Sequence, residues 1–136
     1  MTGYELTSDA EVAVTPEDAP GIERRMWHVT LTVAGDPIPR EVIKEGLEQL
    51  AHERPFLLTG RYACDRAEVR YWEEAQCLED AAALALRLWG EHRGTAGLPH
   101  WQIVGLEVLE RDVFHLRATR GEMDVRLARA GAVRPF

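Results

Sequence analysis

Residues 26–33 alternate strictly. Trp27, Val29, Leu31 and Val33 fall on one parity, and His28, Thr30 and Thr32 on the other. A period of two marks a strand with one buried and one open face, so a half-buried strand is expected here. Gly35, Asp36, Pro37 and Pro39 interrupt the pattern. Pro39 suits the first turn of a helix, where its missing N–H costs nothing. Ile43, Leu47 and Leu50 then recur at helical spacing among Glu41, Lys44, Glu45, Glu48 and Gln49, which predicts an amphipathic helix running to about His52. Gly46 costs about 1 kcal/mol in such a helix relative to Ala, so the helix is either closely packed at that point or weak.

Pro55 ends that element, and residues 56–72 read as a hairpin turning at Cys64, Asp65 and Arg66. In its second arm Ala67, Val69 and Tyr71 alternate with Glu68, Arg70 and Trp72. The first arm is less regular, and Gly60 marks an expected bulge. Residues 77–92, rich in Ala and Leu, predict a second helix with Glu79 and Asp80 at its start, where the dipole favours negative charge. Its wide apolar arc implies burial on more than one side. Gly94, Gly97 and Pro99 close it. Residues 101–109 predict a strand, followed by a turn at 110–112 and a further strand over 113–119.

The order β-α-β-β-α-β resembles the split βαβ plan of ferredoxin-like domains. The expected fold is therefore α+β, an antiparallel sheet with two helices on one face and an added C-terminal strand. Ile43, Leu47, Leu50, Ala81, Leu84 and Leu88 are the expected helical contributions to the core. Residues 1–24 read as an acidic, disordered lead, in which 11–15 has the composition of a short edge strand. Residues 25–119 form the expected domain, and 120–136 an irregular tail.

A chain of 136 residues with 46% apolar side chains buries roughly two-thirds of its unfolded surface, enough to hold together without disulfides or a structural metal. The net charge of −7 is uneven. Six acidic residues in 1–24 face Arg24 alone, whereas 120–136 carries four arginines against Glu122 and Asp124. Lacking a long basic run, the chain is not expected to bind nucleic acid. No apolar stretch approaches the ~18 residues of a membrane span. The start of the chain shows no secretory pattern, so a cytoplasmic protein with reduced thiols is expected. Lys44 is the sole lysine beside fifteen arginines, a bias of GC-rich codons that points to a bacterial source.

Candidate chemistry is sparse. Cys64 and Cys77 lack a CxxC pairing and a visible base. His92 and His100 flank a two-glycine loop near Glu91, too loose a clamp for a metal, and neither a metal nor another cofactor is expected. Taking Val29, Val69, Val104 and Leu116 as the helix-covered side, the opposite face collects His28, Thr30, Thr32, Arg61, Glu68, Arg70, Trp72, Ile103, Glu107, His115 and Arg117. Within it, His28, Arg61, Arg70, Trp72 and Arg117 are the candidate contacts, because an aromatic beside arginines supplies apolar area and directed donors together. An RNA platform needs more stacked aromatics than Trp72 alone. The expected function is a non-catalytic interaction or assembly module, homodimeric or bound to a protein partner through the open face. A small-molecule binding domain and a cofactor-independent enzyme are the alternatives. Trp27, Trp89 and Trp101 are expected in or beside the core.

Overall fold

The computed structural model describes residues 24–54, 56, 58–121 and 132–136; the acidic lead and most of the tail lie outside them. The predicted first strand is β1 (Arg25–Ala34), and the predicted first helix is α1 (Arg40–Glu53). The hairpin is β2 (Thr59–Ala63) and β3 (Arg66–Ala75), followed by α2 (Leu78–Ala96) and β4 (Gln102–Glu110). The chain then departs from expectation. Residues 113–119 are not a strand but part of a helix, α3 (Arg111–Thr119), and the added strand is β5 (Val133–Pro135), inside the stretch read as an irregular tail. The result is an α+β fold with a five-stranded sheet in the order β4-β1-β3-β2-β5. All neighbours are antiparallel except β2 and β5, which are parallel.

Alternation along β1 and β3 sets the core. Val29, Leu31, Val33, Ala67, Val69 and Tyr71 are buried on one face with Ile43, Leu47 and Leu50 of α1 and Ala85, Leu88 and Trp89 of α2. Ala81 belongs to a neighbouring cluster with Trp27 and Ala75. Leu84 is only half-buried, and Leu86 is exposed. The residues that α2 buries (Ala81, Ala85, Leu88, Trp89 and Ala96) follow helical spacing along one stripe, so its expected burial on several sides does not hold. Gly94 does not end α2; Gly97 does, in the left-handed conformation and donating its N–H to Arg93.

Gly60 is not a bulge: β2 and β3 pair in continuous register through it, and its missing side chain admits Leu47 of α1. The bulge lies in β4. Register with β1 shifts between Thr32 and Val33, where Thr32 faces Gly105 and Val33 faces Ile103, leaving Val104 as the extra residue. One extra residue inverts parity beyond it. Ile103, expected on the open face, therefore packs on the core, and Val104, expected in the core, is exposed. Leu116, also expected in the core, is exposed on α3. Trp27, Trp89 and Trp101 are buried, and their indole N–H groups donate to the carbonyls of Ala75, Pro99 and Asp36. Among the described residues no helix is long and apolar enough to cross a membrane.

Candidate functional site

The open face begins as a row across three strands. His28 on β1 is opposite Trp72 on β3 and Leu109 on β4. α3 starts at Arg111, where the side chain of Glu110 accepts the N–H of Asp112, and lies back over this row. Phe114 is its buried residue. The Phe114 ring stacks on the His28 imidazole and meets Trp72 edge-on, with centroids 5.0 Å apart. His28 and Trp72 are also edge-on at 5.1 Å, and His115 lies 6.0 Å from Trp72. His28, expected to be accessible, is therefore buried, at 6% exposure. Its Nδ1 has no hydrogen-bond partner. Burial, helped by the nearby charge of Arg70, pushes its pKa down to about 4, so the imidazole is neutral at physiological pH.

The remaining candidates fall into two separate groups. Arg61 of β2 and Arg70 of β3 share the Glu68 carboxylate, at 3.5 and 3.4 Å, and Arg61 also stands 5.0 Å over the ring of Phe136. This row continues the floor of the open face beyond α3. Arg117 and His115 are not on a strand at all. They project from α3, where Arg117 reaches Glu107 of β4 at 3.4 Å. The structure thus joins His28 with Trp72 and Arg61 with Arg70, and leaves Arg117 apart. Phe114 was missed by the sequence reading. The signal that finds it is the acidic Glu110-Arg111-Asp112 triplet, a helix start rather than a turn between strands.

A second polar cluster joins the two large helices. Glu53, at the end of α1, accepts from His92 Nδ1 and Thr95 Oγ1 of α2, both at 2.8 Å, and from Gln49 at 3.0 Å. These hydrogen bonds, that from His92 first, hold the carboxyl at about 2. His92 is thus a helix-bridging partner of Glu53, and His100 is exposed elsewhere. Cys64 is exposed in the β2–β3 turn, and Cys77 precedes α2 without capping it through its side chain. Beside α1, Arg54 pairs with Glu73 and lies over Tyr71, whose hydroxyl is buried without a partner. Among the described residues no three His, Cys, Asp or Glu groups converge as metal ligands would.

Residues 26–125 match the model of a family described as a domain of unknown function, DUF8830. No curated protein matches the chain.

Proposed function

From the premise that the chain belongs to the DUF8830 family, we propose that it is a non-catalytic interaction or assembly module built on a ferredoxin-like core. The core reading is supported by the first six elements, which follow β-α-β-β-α-β with strands ordered β4-β1-β3-β2; α3 and β5 elaborate that plan. The observation that carries the functional reading is where exposed apolar side chains gather. Val104 and Leu106 lie on the edge strand β4, and Val113 and Leu116 are exposed on α3, which follows it. Clustered apolar side chains at a surface mark a place where another protein is covered. Arg61, Arg70 and Trp72 lie on the same open face as α3 and add polar and aromatic side chains to it on the side away from β4. Two free cysteines and the arginine-dominated basic set support a bacterial cytoplasm as the compartment.

A photo-crosslinking residue in place of Leu116 tests this in the intact chain, irradiated in the source cell, with the same residue in place of the exposed Glu48 as control. Protein adducts at position 116 and not at 48 are expected. Adducts at neither position overturn the reading.

One observation favours a second reading, capture of a small anion on the open face. Arg61 and Arg70 share a single carboxylate, and Arg70 Nε is buried without a hydrogen bond. Titration with inorganic phosphate, followed by the NMR signal of the Arg70 Nε–H, tests it; an unmoved signal sets it aside.

A further inference from the structure

The Gly60 N–H donates to the Ala132 carbonyl, and the Phe136 N–H donates to the Tyr62 carbonyl. Even-numbered residues of the 132–136 segment therefore turn their backbone groups toward β2, and Val133 and Pro135 turn theirs outward. The N–H that Pro135 lacks is thus one the ladder does not need. Side chains alternate with the same period. Val133 packs against the core, beside α1, whereas Arg134 pairs with Arg61 on the open face. There the Phe136 ring centre lies 5.0 Å from the guanidinium carbon of Arg61 and 5.1 Å from that of Arg66. Backbone hydrogen bonds along one edge, with places for alternate side chains, are the means by which a sheet takes up a peptide strand.

The segment is held shallowly. Its pairing with β2 spans three residues, Arg134 and Pro135 are exposed, and Phe136 is 47% exposed. A strand with so few buried contacts opens far more readily than the centre of the sheet. The family match ends at residue 125, and within the matched residues β2 is an edge strand, in the order β4-β1-β3-β2. One contact also works against the resident segment. Arg134 stands directly beside Arg61 in the register, and like charges so placed are destabilising. Arg61 already shares the Glu68 carboxylate with Arg70.

We propose that the β2 edge is a strand-receiving site for an extended segment of a partner protein with the order aliphatic, acidic, proline, aromatic, and that residues 132–136 occupy it when the partner is absent. The proposal rests on the reading of the domain as an interaction module and gives it a contact at the end of the sheet opposite β4. Each position follows from the resident segment. The aliphatic side chain takes the place of Val133 against the core, and the proline that of Pro135 on the outer side. The aromatic ring meets the two guanidiniums, which favour its face. The acidic residue falls beside Arg61, where it replaces a repulsion with an attraction. That last exchange decides the occupant. A second copy brings the same Arg134 and competes with a segment tethered at an effective concentration on the order of 1 mM, so it has no advantage. An acidic partner segment gains at the position where the resident one loses.

Amide exchange and peptide titration on the full chain test the proposal. In the wild type, the Gly60 and Phe136 amides should exchange by local opening, roughly a hundredfold faster than that of Leu31 in the central strand β1. Arg134→Glu should slow the Phe136 amide about fivefold. The titration probes are the peptides Ala-Val-Glu-Pro-Phe and Ala-Val-Arg-Pro-Phe, followed by the NMR signals of the Gly60 and Tyr62 amides. On a Phe136→Ala chain, whose resident segment is weakened, the glutamate peptide should bind about fivefold more tightly than the arginine peptide. On the wild-type chain both should bind about tenfold more weakly, because the intact segment competes. Gly60 and Leu31 amides exchanging at one rate would make β5 inseparable from the fold and overturn the proposal, as would a Phe136→Ala chain that binds neither peptide. Equal binding of the two peptides overturns the acidic partner. Crosslinking at position 116 reports on α3, a separate surface, so its failure and the failure of the β2 site are told apart.

Discussion

The imidazole of His28 and the ring of Phe114 lie 4.1 Å apart between centroids, tilted by 35°, and this stack fastens α3 to the sheet. Phe114 is the one buried residue of that nine-residue helix, and a helix so short does not persist in water by its own propensity. Phe114→Ala should therefore cost about 3 kcal/mol, the low end for a buried aromatic, and release α3. Denaturant unfolding gives the first quantity, and the near-ultraviolet dichroism of Trp72 reports the second. A variant with wild-type stability would show that α3 is held by something else. Trp72→Glu should likewise detach α3, since Trp72 is the other wall of the stack.

His28 ties stability to pH. Its pKa is about 4 in the folded chain against an ordinary value of 6.5. Between those values the unfolded chain binds a proton that the folded chain refuses, so stability falls as pH drops below about 6.5 and the loss is complete near pH 4. The size is on the order of 2–3 kcal/mol. His28→Leu should remove this slope. Measured from neutral pH down to about pH 4, the unfolding free energy of the wild type should fall relative to that of His28→Leu by this amount; parallel curves count against the assignment.

Glu53 acts in a lower window. Its carboxyl, held at about 2 against an ordinary 4.5, contributes stability that is fully present above the ordinary value and is lost as pH falls through the folded one. Glu53→Gln should lower the thermal midpoint at neutral pH, and the deficit should shrink to nothing near pH 2. A deficit independent of pH would mean that the side chain contributes packing alone.

Two helical glycines should respond oppositely to Ala. Propensity favours the exchange at both by roughly 1 kcal/mol. At Gly90 a Cβ meets nothing within 4 Å, so Gly90→Ala should stabilise by about 0.5–1 kcal/mol. At Gly46 it would lie 3.0 Å from Leu98 and 3.3 Å from the Gly97 carbonyl. That backbone is held by bonds from Gly97 and Leu98 to Arg93, so it has little freedom to retreat. Gly46→Ala should lower the midpoint; a rise equal to that of Gly90→Ala would show that α1 and α2 are not tightly apposed there.

The elements legible in the sequence are those whose own periodicity outlasts their neighbours' influence. Ile43, Leu47 and Leu50 mark the buried stripe of α1, and the alternation from Trp27 to Val33 and from Ala67 to Tyr71 marks two faces, because 3.6- and 2-residue periods are properties of the backbone alone. The same alternation sets His28 and Trp72 on one face, and their cross-strand pairing bears that out.

Other features belong to no local segment. A bulge exists only relative to the partner strand, so Val104 could be assigned to the core by parity until β1 supplied the register. Residues 113–119 have no dominant period, and their helical state was decided by the burial of Phe114 over His28, a contact between positions 86 residues apart in the chain. That helix in turn closed the aromatic end of the open face and moved His115 and Arg117 off the sheet. β5 likewise took its place from the exposed edge of β2, which offers Gly60 and Tyr62 to any extended segment that reaches it. Local pattern determined which segments were helix or strand where one period dominated. Where two states were close in local free energy, the choice fell to long-range burial and edge pairing, whose energy is realised only once the sheet has formed.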